Sequence, residues 1–161
     1  MSTTTSEQMT RPRGLDARVL NEGYGHGAWH GSDLKAALAD VTPDLAFWRP
    51  ANARHNIAEI ALHHAFCARA VRGQLSGMPP ESFVLDGEDW FALPDESLLP
   101  WSKILAVVET EQQQLAAIVA DNGHRESPMA DAERFNLVLG VTCHAVYHAG
   151  QVQLIKRLHA Q

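Results

Sequence analysis

DAERFNLVLGVTCHAVYHAGQVQLIKRL, residues 131–158, is the stretch whose period decides the fold. At about 100° per residue, Leu137, Val141, His144, His148, Gln151 and Ile155 fall on one stripe less than half a turn wide. Leu137 and Ile155 are expected in the core, so His144 and His148 should point inward with them. Two imidazoles at i and i+4 stand one helical turn apart, close enough to share one metal ion. The same spacing also suits two buried histidines, each hydrogen-bonded to a side chain or to water.

Working back along the chain, Asn56 followed by Glu59 forms a capping box that opens a second long helix. That helix is predicted to end near Leu75, where Gly77 supplies a stop and Pro79–Pro80 forbid continuation. A third long segment is capped by Asp95 or Ser97, tolerates Pro100 in its first turn and runs to about Ala120. Shorter helices are expected at 14–22 and, capped by Ser32, through Ala39. Residues 78–96 read as an irregular connection pinned by Phe83, Trp90 and Phe91. Residues 1–13 read as a flexible arm and 14–161 as a single helical domain. No alternating strand pattern and no repeat occurs. The predicted architecture is all-α, an antiparallel four-helix bundle with additional short helices.

Composition excludes several functions. The 161 residues are 45% hydrophobic and 20% charged, enough apolar material for a core. Thirteen Lys and Arg against nineteen Asp and Glu give a net charge of −6, with no basic run, so nucleic acid is not an expected partner. No apolar stretch approaches the roughly 20 residues of a membrane span. The first ten residues lack the apolar core of a secretory signal. Cys67 and Cys143 fit a reducing, cytoplasmic setting. There is no nucleophile elbow and no phosphate loop.

Nine histidines are the unusual feature. On the second long helix the apolar stripe is Ile57, Ile60, Ala61, Ala68, Val71 and Leu75. His64 lies at the centre of that stripe, while His63 lies about 100° to one side. Period alone nominates His64, yet either residue could join the facing pair. Three neutral imidazoles suit Zn, Ni, Cu or Fe and leave coordination positions open, as reactive sites do. His26 and His30 lie among glycines, where no helical register can be assumed. His55, His124 and His159 are expected in solvent and residues 109–114 on a solvated helix face. Cys67, one turn from His63, could be a fourth ligand, but core packing is the expected role.

The block His144-Ala-Val-Tyr-His-Ala-Gly-Gln-Val152 resembles the signature of the DinB/YfiT-like superfamily of metal-binding four-helix bundles. His144, Tyr147, His148, Gly150 and Gln151 match in place, and Val152 replaces an isoleucine. His55 to His63 resembles the helix carrying that family's first ligand, where the histidine follows an aliphatic position by six residues. Ile57 then selects His63 over His64. Trp29-His30-Gly31 and Trp90 to Pro94 are similar to one subgroup, and Asn56 stands where a serine cap is frequent.

The resemblance implies a divalent transition metal, Zn, Ni or Fe, held by His63, His144 and His148, with water completing the shell. Characterised relatives include S-transferases that use low-molecular-weight thiols and a mycothiol-dependent isomerase. The expected function is therefore a metal-dependent thiol S-transferase. Gln151 or Tyr147 would orient a ligand or brace a metal-binding ring. The rival readings are a non-catalytic stress-response bundle and a metal-dependent hydrolase. A homodimer is the expected assembly.

Overall fold

The structure, a computed structural model, describes residues 14–25, 27–51, 55–121 and 129–161. The expected arm at 1–13, His26 and His124 lie outside the described residues. Six helices are present: α1 (Leu15–Gly23), α2 (Leu34–Leu38), α3 (Pro43–Phe47), α4 (Ile57–Ser76), α5 (Trp101–Asp121) and α6 (Asp131–His159).

Local chemistry accounts for each boundary. The Asn56 side chain accepts from the Glu59 N–H while Glu59 reaches back to the Asn56 N–H, so the capping box forms at α4. Gly77 closes α4 at φ 69°, a left-handed conformation that a Cβ would penalise. Asp33, not Ser32, caps α2 by accepting from the Ala36 N–H. The unexpected helix is α3, which Thr42 caps and Pro43 begins at the first position, where proline costs no hydrogen bond. α5 starts at Trp101, later than Asp95 or Ser97 suggested. Asp95 is spent on a turn with the Ser97 N–H, and the Glu96 carboxylate accepts from the Trp101 N–H.

The helices α1, α4, α5 and α6 close a four-membered bundle: α4 packs on α5 and α6, and α1 packs on the same two. Two core clusters divide it. The first joins the N-terminal halves of α4 and α5 to the C-terminal half of α6, through Ile57, Leu62, Ile104, Val108, Val152 and Ile155. The second joins Leu75, Leu115 and Val119 to Val138 and Val141 of α6, with Leu20 of α1. So α6 runs antiparallel to α4 and α5, which both start from the same end. The long connection 77–100 is what returns the chain to that end. Phe91 and Leu93 bury there as anchors. No helix among the described residues is long and apolar enough to cross a membrane.

Candidate metal centre

The first two turns of α4 have no solvent face: every residue from Ile57 to Ala65 is buried. His63 and His64 are therefore both interior, at 6% and 1% exposure, and they turn to different neighbours. His63 Nδ1 lies 2.9 Å from the carbonyl oxygen of Asp89 and 3.0 Å from its carboxylate. Asp89 adopts φ 65°, a conformation that aspartate tolerates better than most residues. Trp90 stacks on the His63 ring at 3.8 Å and on the His55 ring at 3.7 Å, so the indole lies between the two imidazoles.

From α6, His144 and His148 arrive one turn apart, as their spacing predicts. His144 Nε2 stands 3.0 Å from His63 Nε2 and 3.0 Å from His148 Nε2. Imidazole nitrogens bound about 2.0–2.1 Å from one zinc ion stand about 3 Å from one another. Both contacts made by His144 Nε2 are of that order. Each outward nitrogen has its own partner. His148 Nδ1 lies 2.6 Å from Gln151 Oε1, and Gln151 Nε2 donates to the Tyr147 hydroxyl at 3.1 Å. His144 Nδ1 lies 3.4 Å from His64 Nδ1, and His64 Nε2 lies 3.3 Å from Gln112 Oε1.

Electrostatics keep His64, His144 and His148 neutral. Burial, followed by the unfavourable charge of neighbouring imidazoles, pushes His64 down to about 3 and His144 to about 4. Burial also pushes His148 to about 4, against the opposing hydrogen bond to Gln151. Neutral imidazole is the form that ligates metals.

Cys67, expected in core packing in preference to a role as fourth ligand, stands beside the centre. Its Sγ is 3.9 Å from His63 Nε2, 4.0 Å from His63 Nδ1 and 3.9 Å from the Asp89 carboxylate. His63, Cys67 and His144 each place a donor atom within 4.8 Å of the others and could hold a metal ion. Burial and then Asp89 raise the Cys67 thiol to about 11, so it carries its proton near neutral pH.

Several supporting residues differ from expectation. His55 is not in solvent: it stacks on Trp90 and its Nδ1 lies 3.2 Å from Glu59. Gln112 and Glu109 do not form a solvated face, since Gln112 is buried against His64 and Glu109 binds Tyr24 and Lys35. His159 is exposed, as expected, and meets Trp48 edge-on. His30 is exposed, with Nε2 2.7 Å from the Glu22 carbonyl. Asp89, Trp90 and Gln112 carried no periodic signal. Asp89 and Trp90 lie in the irregular connection, and Gln112 lies inside a polar run.

A family model described as the DinB superfamily matches residues 26–152. No curated protein and no solved structure matches the chain significantly.

Proposed function

This chain belongs to the DinB superfamily, and on that premise we propose that it is a metal-dependent S-transferase acting with a low-molecular-weight thiol. The observation that carries the proposal is that the Nε2 atoms of His63 and His148 each stand 3.0 Å from His144 Nε2. A divalent metal at these residues supplies positive charge that favours the ionised form of a bound thiol. Three neutral imidazoles do not cancel that charge, so an anionic ligand is preferred.

The remaining functions fall to the chain. Asp89 and Gln151 take the Nδ1 protons of His63 and His148 and fix those rings. Trp90 covers one face of His63 and limits water. In the transfer the thiol's proton passes to solvent, its sulfur bonds to an electrophilic carbon, and the bond from that carbon to the leaving group breaks, its electron pair departing with the leaving group. Cys67 is not the nucleophile in this reading, because the small thiol supplies the attacking sulfur. Hydrolysis is less well supported. Glu59, the buried carboxylate nearby, is committed to Arg49, Asn56, Leu93 and His55 and is not free to act as a base.

The test is elemental analysis followed by a thiol-dependence screen with electrophilic substrates. One metal per chain is expected. The variants His63→Ala, His144→Ala and His148→Ala should lose it, whereas His64→Ala should still fill at saturating zinc. Gln151→Ala should reduce turnover more than metal content, and Cys67→Ala should leave turnover largely intact. Metal loss in His64→Ala with retention in His63→Ala would sink the ligand assignment. Turnover that survives chelation, or vanishes in Cys67→Ala with metal still bound, would point to a protein thiol instead. Metal-dependent stability with no thiol-dependent turnover would favour a non-catalytic, stress-response role.

The assembly belongs to the same proposal. On α6, Leu139, Tyr147, Leu154 and Leu158 are exposed at helical spacing and form an apolar face. A two-fold homodimer would bury it. A monomer mass in light scattering across the micromolar range would refute that assembly.

A further inference from the structure

His64 does not reach the meeting point of the three Nε2 atoms, yet both of its nitrogens are engaged. A neutral imidazole has one N–H and one lone pair. Gln112 meets His64 Nε2 through its amide oxygen, which can only accept, so the His64 proton resides on Nε2. His64 Nδ1 is then a lone pair. Its 3.4 Å contact with His144 Nδ1 is a hydrogen bond only if His144 donates. His144 therefore carries its proton on Nδ1 and leaves a lone pair on Nε2, the atom that faces His63 and His148.

We propose that Gln112 and His64 form a relay from α5 through α4 that fixes the tautomer of His144 for metal binding. The inference rests on the three-histidine reading of the centre. His64 and Gln112 are positioning residues in it, and neither touches the metal. Asp89 and Gln151 give His63 and His148 the same tautomer directly, each without an intermediate residue. His144 alone is set through two residues. The relay has a direction. If the amide presented its NH₂ group, His64 would carry its proton on Nδ1 and His144 on Nε2, where the metal must sit. Both relay residues are buried, at 1% and 5% exposure, so water does not readily substitute for either bond. α5 thus governs metal affinity without contributing a ligand.

The first measurement is the ¹⁵N imidazole spectrum of the zinc-loaded wild type. It should show the His64 proton on Nε2, and the protons of His63, His144 and His148 on Nδ1. A His64 proton on Nδ1 overturns the relay. The second is zinc affinity by chelator competition, with folding checked by circular dichroism. Gln112→Leu and His64→Leu should each weaken zinc binding by about 10–100-fold. His64→Asn, whose side-chain oxygen can accept close to the Nδ1 position, should recover most of the loss. Wild-type affinity in a folded Gln112→Leu protein overturns the proposal. If the leucine variants do not fold, the wild-type spectrum decides. A wild type that binds no zinc, or binds it without His144, refutes the three-histidine reading instead.

Discussion

The two ends of the bundle bury different chemistry. At one end Leu20, Leu75, Leu115, Val119, Val138 and Val141 make an apolar cluster. At the other, Asn56, Glu59, His63, His64, Gln112 and His148 are buried beside Ile57, Leu62, Leu93 and Val108. Apolar burial is non-directional, so that cluster needs only shape and volume, with the Asp16–Arg134 ion pair joining α1 to α6 beside it. The polar end depends on pairing, because each buried polar group left without a partner costs about 1–3 kcal/mol. One end holds the bundle together, and the other holds a site in a fixed geometry.

Breaking the polar end at its most connected residue gives the largest expected effect. The Glu59 carboxylate takes two bonds from Arg49, at 2.6 and 3.0 Å, one from the Leu93 N–H at 3.0 Å and one from the Asn56 N–H. Glu59→Ala should cost about 3–5 kcal/mol in urea denaturation, because it strips several buried partners at once. It should also loosen the segment that carries Asp89 and Trp90. Burial opposes ionisation of Glu59, but the bonds from Arg49 and Leu93 outweigh it and hold the carboxyl below its usual range. The stability it confers is therefore full above the unfolded value of about 4.3 and is lost as pH falls through the lower folded value. Glu59→Gln should flatten the acid limb of the stability curve. A limb as steep as that of the wild type would show that other groups control it.

The matching change at the apolar end is Leu115→Ala. A fully buried leucine truncated to alanine costs about 2–5 kcal/mol, depending on how far the cavity collapses. Zinc stoichiometry should not change, because Leu115 belongs to the apolar cluster with Leu75, Val119, Val138 and Val141. Loss of zinc together with stability would show that the two ends are not separable.

This division also explains what the sequence made legible. On the long helices α4 and α6, period and capping sufficed: the Asn56–Glu59 box, Gly77 and the His144–His148 spacing are as predicted, whereas the caps read at Ser32 and at Asp95 or Ser97 are replaced by Asp33 and by a start at Trp101. Thr42–Pro43 carried a readable start signal for α3, but a helix of five residues is too short to show a period. At the polar end the signal failed for a physical reason. A helix buried on every side from Ile57 to Ala65 has no polar face, so period cannot rank His63 against His64. The partners of those rings come from an irregular connection, as Asp89 does, or from the buried side of a polar run, as Gln112 does. Contacts of that kind are set by tertiary packing, and spacing along the chain does not encode them.

The smallest expected effect sharpens the comparison within the polar end itself. His144 is anchored through a chain of single bonds, so losing any link should release it. His63 is anchored twice by one residue, since its Nδ1 lies 2.9 Å from the Asp89 carbonyl and 3.0 Å from the carboxylate. Asp89→Asn removes the charge and keeps an amide oxygen. It also keeps a residue that accepts the φ of 65° at this position. The carbonyl remains to take the Nδ1 proton whatever the side chain does. Zinc affinity should therefore fall by less than about tenfold, below the usual range for losing a partner behind a metal-binding histidine. Chelator competition on Asp89→Asn beside Gln112→Leu checks this directly. A loss in Asp89→Asn as large as in Gln112→Leu would mean that the carboxylate, and not the backbone, holds His63, and that its charge contributes to binding the metal.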